Sequence, residues 1–358
     1  MDVRVESDDG GAATSVVTSG PAEFLRARPH GAYTVMRVLA PSAAGEPIAV
    51  SQLRFHLARL ATSTRTADDA ADAALVGAAD DLRALVVAAA QACVHKWIRS
   101  ASRCSSREPT APHVLMVTVL LLRRDGDGNG GGASGSALRV HCMAMPTVGA
   151  SSCVALCRGK RRAPRAKHSS WLNARLPLEA QKRDGVGEVV MLRRDGAALE
   201  GLVSNLFVVR RGVLFTARGD VLHGSARELV IEACAAAVPP IGVCFVAPRA
   251  LGGGDLAAAA AAAGVGTDGA EAEVRDAPRS VREWDEAFLT SVVKLVQPVV
   301  EVRCREGFGA DGGATATAGG GAAAAHHRLA VGPITQRLAA SVRSRLGKFA
   351  VPRATEDR

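Results

Sequence analysis

The stretch Leu199-Glu200-Gly-Leu-Val-Ser-Asn205-Leu-Phe207-Val-Val-Arg-Arg-Gly-Val-Leu-Phe-Thr-Ala-Arg-Gly-Asp-Val-Leu-His-Gly224-Ser225-Ala226-Arg227-Glu228 places one carboxylate among apolar strand residues and a helix start within thirty positions. Glu200 interrupts a β-forming run at a strand edge. The helix opens at Gly224, where Ser225 is expected to cap the first turn and Glu228 to reach back in a capping box. Backbone donors at such a start face an anion, because the first-turn amides have no partner inside the helix.

The 358-residue chain is 48% hydrophobic, enough apolar surface for two modest cores. Ala84 to Val94 and Leu256 to Gly266, its longest uncharged apolar stretches, are too short to span a bilayer. The acidic, polar start (Met-Asp-Val-Arg-Val-Glu-Ser-Asp-Asp) fits neither a secretory signal nor a transit peptide, so a cytoplasmic location is expected. Eight cysteines form no dense module, and the close pair Cys153 and Cys157 lacks a second pair for zinc. Of the net charge of +9, much sits in Arg158-Gly-Lys-Arg-Arg-Ala-Pro-Arg-Ala-Lys167, where six of ten residues are basic. Such a tract reads as a solvated loop, a polyanion patch or a positive rim that attracts anionic ligands. With one Tyr and eight Phe in the chain, a stacking platform for single-stranded nucleic acid is not expected.

Residues 1–22, rich in Gly, Ser and Asp, are expected as a disordered tail, with an N-terminal α/β domain over 23–150. Within it, Ala32 to Leu39 reads as a strand, Gln52 to Leu60 as a helix with Leu53, Leu57 and Leu60 on one face, and Ala67 to Trp97 as a long Ala-rich helix. Val114 to Leu122 and Leu138 to Ala144 read as paired strands. Residues 151–166, basic and proline-bearing, read as an interdomain connector. A larger domain over 167–351 is expected to hold strands at Glu188 to Leu192, Asn205 to Val209, Val213 to Phe215 and Val243 to Val246. A helix at Ser225 to Ala236, a strand-turn-strand block at Trp284 to Val302 and a last helix from Pro333 complete it. Low-complexity inserts at 252–277 and 307–325 interrupt this domain.

A pyridoxal phosphate (PLP) enzyme needs a lysine for the Schiff base, an acid opposite the pyridine nitrogen and donors for the phosphate. Lys167, in Ala166-Lys-His-Ser-Ser-Trp171-Leu172, supplies an amine; alone it also reads as the end of a basic loop. Glu200 supplies an acid, or is a strand-edge glutamate facing water. Arg59 projects from a helix whose apolar face must be buried, toward a phosphate or toward the surface. Thr290 and Ser291 end an apolar strand with two hydroxyls and fresh backbone amides, which also fits a plain strand-to-turn transition.

The order and spacing of these residues resemble the class IV (fold type IV) PLP-dependent aminotransferases, the group of branched-chain aminotransferases, D-amino acid transaminases and aminodeoxychorismate lyases. The residues that carry the likeness are Gly31 to Arg37, His56-x-x-Arg59-Leu60, Lys167, Glu200-Gly-x-x-x-Asn205-x-Phe207, Gly224-Ser-Ala-Arg227, Glu286-Ala-Phe-Leu-Thr-Ser291 and Pro298-Val299. The resemblance implies an α+β fold of two lobes, a small α/β N-terminal lobe and a larger β-barrel-like C-terminal lobe. It implies Lys167 as the Schiff-base lysine, Glu200 as partner of the pyridine nitrogen, and Arg59 with the amides of Ser225 and Ala226 on the phosphate, completed by Ser291 and Val292. No metal is implied. An amino acid and a keto acid are the implied substrates, and a homodimer the implied assembly.

The chain departs from the family pattern at three places. Leu172, preceded by Trp171, stands where family members carry a tyrosine five residues after the lysine; Ala226 stands where a hydroxyl usually touches the phosphate; and Pro177 breaks the helix expected after the lysine. Transamination is the first reading. A lyase of the aminodeoxychorismate lyase kind and a non-catalytic descendant binding an acidic partner through 158–167 are the alternatives, and Arg37 is a candidate contact for a substrate carboxylate.

Overall fold

Alternation of apolar side chains accounts for most of the strands seen in the computed structural model, which describes residues 4–8, 13–17, 20–42, 45–66, 79–104, 113–124, 135–250, 277–304 and 326–350. The chain divides into two compact units. The first comprises Met1–Thr147, Arg165–Ala174 and Leu346–Pro352; the second comprises Val148–Pro164, Arg175–Arg345 and Arg353–Arg358.

The first unit is one antiparallel sheet with helices. Its strands are β1 (Arg4–Asp8), β2 (Ala13–Val17), β3 (Ala32–Leu39), β4 (Ala49–Val50), β5 (Val114–Arg124) and β6 (Gly135–Ala144), in the spatial order β2-β1-β6-β5-β3-β4. Helices α1 (Pro21–Arg26), α2 (Leu53–Thr66) and α3 (Ala79–Cys104) belong to the same unit. Because side chains alternate across a strand, Leu115, Val117, Val119 and Leu121 of β5 pack with Val86, Ala89, Ala90 and Val94 of α3, and the small alanines bring that helix close to the sheet. Leu120 and Leu122 point the other way, into a cluster with Phe24, Leu25, Tyr33 and Leu172.

The stretch expected as a disordered tail instead contributes the hairpin β1–β2, with β1 paired to β6 from Arg4↔Met143 to Ser7↔Val140. Val5 and the stretch Thr14-Ser-Val-Val17, three of whose four residues are β-branched, suit strands, a signal outweighed in sequence by the Gly and Asp around it. The Ala-rich helix is described from Ala79; its expected beginning at 67–78 and the inserts 252–276 and 307–325 lie outside the described residues.

The second unit is a closed barrel. Strands β7 (Ser152–Arg158), β8 (Glu188–Leu192), β9 (Ala198–Gly201), β10 (Asn205–Arg210), β13 (Glu286–Thr290) and β14 (Gln297–Arg303) run in the order β10-β13-β14-β7-β8-β9, and β9 pairs back onto β10. Between them in the chain, β11 (Val213–Phe215) and β12 (Val243–Cys244) extend the sheet beyond β10, and β15 (His326–Arg328) pairs β14. Six strands enclose an interior that side chains can fill. Val154, Leu156, Val190, Leu192, Leu206, Val208, Ala287 and Leu289 fill it here, while Phe207 and Phe288, opposite one another on β10 and β13, stack at 5.0 Å.

The expected connector over 151–166 is therefore in part a barrel strand. β7 lies between β14 and β8 and runs parallel to both, with Val154 and Leu156 inward. The helix after the lysine is two short pieces, α4 (Ser170–Ala174) and α5 (Leu176–Glu179), and Pro177 falls in the first turn of the second, where its missing N–H breaks no helical bond. Helix α6 (Ser225–Ala235) follows β11, and α7 (Pro333–Leu346) closes the chain order. The α+β architecture, with a barrel in the larger part and a small α/β sheet in the other, is the one expected.

Candidate active site

In the first unit the lysine is placed by its backbone. The N–H of Tyr33 donates to the Lys167 carbonyl at 2.9 Å, Ser169 and Gly31 exchange hydrogen bonds, and Ala32 bridges His168. The segment thus continues the hydrogen-bond pattern at the start of β3. A Cβ on Gly31 would collide with the carbonyl of Leu121, so this approach requires glycine. The Lys167 N–H donates to Ser63 Oγ at 2.9 Å, and that hydroxyl donates to the Arg59 carbonyl at 2.7 Å. Lys167 Nζ stands 4.7 Å from the ring centroid of Tyr33, the one tyrosine of the chain.

Arg59 is buried on α2, not on the surface. Its Nη2 donates to Thr34 Oγ1 at 2.9 Å and lies 3.4 Å from His56 Nδ1, while Thr34 Oγ1 is 2.9 Å from the same nitrogen. Burial, with the cations of Arg59 and Lys167, pushes His56 well below its ordinary value. Arg37 is buried too and gives a guanidinium N–H to the Phe349 carbonyl at 2.9 Å; burial pushes its pKa down to about 10. That bond ties β3 to the chain near its C-terminal end, which gives Arg37 a structural use.

In the second unit, Glu200 is 1% exposed, not a strand-edge residue facing water. Its Oε1 pairs with Arg161 Nε at 2.8 Å, and its Oε2 accepts from Asn205 Nδ2 and from the Leu222 N–H, each at 3.1 Å. Arg161 also donates to the Leu202 carbonyl at 3.2 Å. At 6% exposure, this member of the basic tract is no part of a solvated loop, whereas Arg162 and Arg165 are exposed. A buried carboxylate demands such a cation, since an unpaired buried charge is costly.

Asn205 is the meeting point. It pairs with Glu200 on one side and Thr290 on the other, so the acid and the end of β13 flank the start of β10, roughly 10 Å apart across two strand spacings. Its side chain also donates to the Leu222 carbonyl at 2.6 Å, and a Cβ on Gly224 would lie 2.5 Å from its Oδ1. The start of α6 is thereby brought to the same end of β10. The capping box is not formed: Gly224 is the N-cap, no side chain caps the turn, and the Glu228 N–H makes an ordinary helical bond to the Gly224 carbonyl. Ser225 falls one position too late to cap, and Arg227, not Glu228, occupies the third helical position.

Ser291 opens the turn after β13; its hydroxyl accepts from the Lys294 N–H at 3.1 Å and its carbonyl from the Leu295 N–H at 2.8 Å. Val292 is the next residue of this turn. Lys294 Nζ reaches Glu188 Oε2 at 3.3 Å, where Ser204 Oγ also donates at 2.8 Å. Burial lowers the Lys294 amine, and Glu188 opposes the shift. Arg227, buried at the start of α6, donates to the Ala217 carbonyl at 3.1 Å and is lowered by burial, with Glu228 and Glu200 opposing.

Of the departures, Leu172 is committed to the apolar cluster with Phe24 and Tyr33, and Trp171 is buried in α4. Ala226 is buried at the second position of α6 and offers its backbone alone. Arg161, His56, Thr34 and Ser63 were not singled out by sequence for these contacts, although the spacing of His56, Arg59 and Ser63 marks one face of a helix.

Solved structures share this architecture. A branched-chain aminotransferase from Thermoproteus uzoniensis with norvaline superposes with a TM-score of 0.58 at 20% identity, covering 97% of this chain and 96% of that one. An aminotransferase from Brucella abortus bound to PLP gives 0.55 at 18% identity, over 96% and 98%. The Escherichia coli branched-chain amino acid aminotransferase gives 0.52 at 17%, over 99% and 97%. At these identities the likeness carries the fold, that of fold type IV PLP enzymes. No curated protein matches the chain in sequence. Residues 31–302 match the family described as amino-transferase class IV, and the chain belongs to that family. It is a PLP-dependent aminotransferase, acting on an amino acid and a keto acid. The donor set fits this cofactor: a buried acid, an uncapped helix start, a buried guanidinium and a lysine on an anchored backbone are each present. Among the described residues no helix is long and apolar enough to cross a membrane.

Proposed function

We propose that Lys167, Arg59, Glu200, Ser225, Ala226, Ser291 and Val292 are the residues of this chain that serve the cofactor. Lys167 would hold the cofactor through its amine and, once displaced by the substrate amine, would be free to carry the substrate α-proton as general base and acid. Bound PLP supplies an electron sink for the α-carbon. Glu200, held by Arg161, Asn205 and the Leu222 amide, pairs with the pyridine nitrogen through a charge-assisted hydrogen bond in a shielded setting. Arg59, the amides of Ser225 and Ala226, and the Ser291–Val292 turn hold the phosphate, where a helix start favours an anion. The missing hydroxyl at Ala226 leaves the backbone donor in place.

The observation that carries this reading is the convergence of Glu200, the uncapped start of α6 and the Ser291 turn at the start of β10. Absorbance spectra of the purified protein, loaded with PLP and freed of unbound cofactor by gel filtration, before and after borohydride, test it. Wild type is expected to show a visible band that borohydride bleaches, and Lys167→Ala to lose both while keeping its fold. Glu200→Gln is expected to retain the band and lose at least about a hundredfold in keto-acid-dependent amino transfer, a loss typical of removing a positioned charged group. A band and bleaching that persist in Lys167→Ala would overturn the assignment of the amine. The resemblance further supports a homodimer, which sedimentation of the holoenzyme tests, and the expected cytoplasmic location is tested by cell fractionation.

A further inference from the structure

One face of α2 carries three buried polar side chains at i, i+3 and i+7: His56, Arg59 and Ser63. Ser63 uses its hydroxyl on backbone, accepting from Lys167 and donating to Arg59. His56 and Thr34 have no such backbone task in these contacts; they form a closed triangle with the guanidinium, with edges of 2.9, 2.9 and 3.4 Å. The proton positions follow from the donor inventory. Arg59 can only donate, so Thr34 Oγ1 accepts from it and turns its own proton to His56 Nδ1. That nitrogen therefore bears no hydrogen and the ring is the neutral Nε2–H tautomer. The buried setting agrees, since Arg59 and Lys167 both disfavour a charged imidazole there. The face of Phe55 covers the guanidinium, 5.2 Å from ring centroid to Cζ.

We propose that His56 and Thr34 are positioning residues that aim the Arg59 guanidinium, and that through it they set the preference of this protein for a phosphorylated over an unphosphorylated pyridoxal. The inference rests on the reading above that Arg59 holds the phosphate. Thr34 fixes one prong of the fork and His56 backs it, so the remaining donors of a planar group have one orientation. A guanidinium freed of these partners samples other rotamers and loses part of its two-pronged contact.

The test titrates the full chain with PLP and separately with pyridoxal, following absorbance, for wild type, His56→Leu, His56→Asn, Thr34→Val and Arg59→Met. His56→Leu and Thr34→Val are expected to weaken PLP about tenfold or more while leaving pyridoxal within about twofold, the size expected for hydrogen bonds to a charged group. His56→Asn, whose amide can stand at the Nδ1 position as acceptor, is expected to recover most of the loss. Thr34→Val keeps the side-chain shape, so it reports even where the leucine variant does not fold. Equal weakening of both ligands in His56→Leu and Thr34→Val would mean a merely structural role and overturn the proposal. So would an unchanged PLP-to-pyridoxal ratio in these variants when Arg59→Met collapses it. An unchanged ratio in Arg59→Met itself would instead remove the phosphate reading on which the proposal rests.

Discussion

Arg161 and Arg162 are neighbours in a tract that looks uniform, yet one is buried against Glu200 and the other is exposed. Composition cannot tell them apart, because which side chain turns inward is set by where β7 leaves the barrel and not by the residues beside it. The consequence is testable. Arg161→Met keeps the apolar stem and strands a carboxylate that is nearly free of solvent, which is expected to destabilise the folded state by about 3–5 kcal/mol in urea unfolding. The double variant Arg161→Met with Glu200→Gln is expected to regain part of that loss, since the uncompensated charge is gone. Lys294 and Glu188 form a comparable partnership in the same barrel, with Ser204 as the third member. Gly201 leaves room for them: a Cβ there would meet Ser204 Oγ and would lie 2.8 Å from Glu188 Cγ.

Among the elements, α6 shows why a start signal was misread. Gly-Ser-Ala-Arg-Glu has the residues of a capping box one position out of register, and the glycine is there for space. Gly224→Ala is expected to push on Asn205, the residue that joins β9, β10 and the acid, at about 1–3 kcal/mol in thermal or chemical unfolding. It is also expected to weaken PLP binding. Unchanged stability in Gly224→Ala would contradict this account of the helix start. Strand β7 was legible in principle, since Val154 and Leu156 alternate as a barrel strand requires. The basic, proline-bearing tract directly after it drew the whole segment into a connector. By contrast, Ala32–Leu39, Glu188–Leu192 and Val213–Phe215 appear where periodicity and β-propensity put them.

Across the whole molecule, stability of the barrel rests on its layers of paired strands. Phe207 and Phe288 sit opposite each other on β10 and β13, both buried and stacked. Phe207→Ala is expected to destabilise the protein by about 3–5 kcal/mol with little change in the denaturant slope, measured by guanidinium unfolding. Phe207→Leu is expected to be milder because it leaves a smaller void. Local periodicity marked most of the strands and helices, and the motifs around Glu200, Gly224 and Glu286 carried the resemblance to the class IV aminotransferases, the family to which the chain belongs. Such signals are written within a few residues of one another, where alternation and turn chemistry act. Only the tertiary structure decided that the Lys167 segment belongs with the first unit, that β1 and β2 extend its sheet, and that Arg161, Thr34 and His56 serve the acid and the guanidinium. Those contacts join residues far apart in the chain, 104 positions for Ser63 and Lys167 and 22 for Thr34 and His56. A buried charge or donor is satisfied by whatever the folded backbone brings near, and no local pattern encodes that partner.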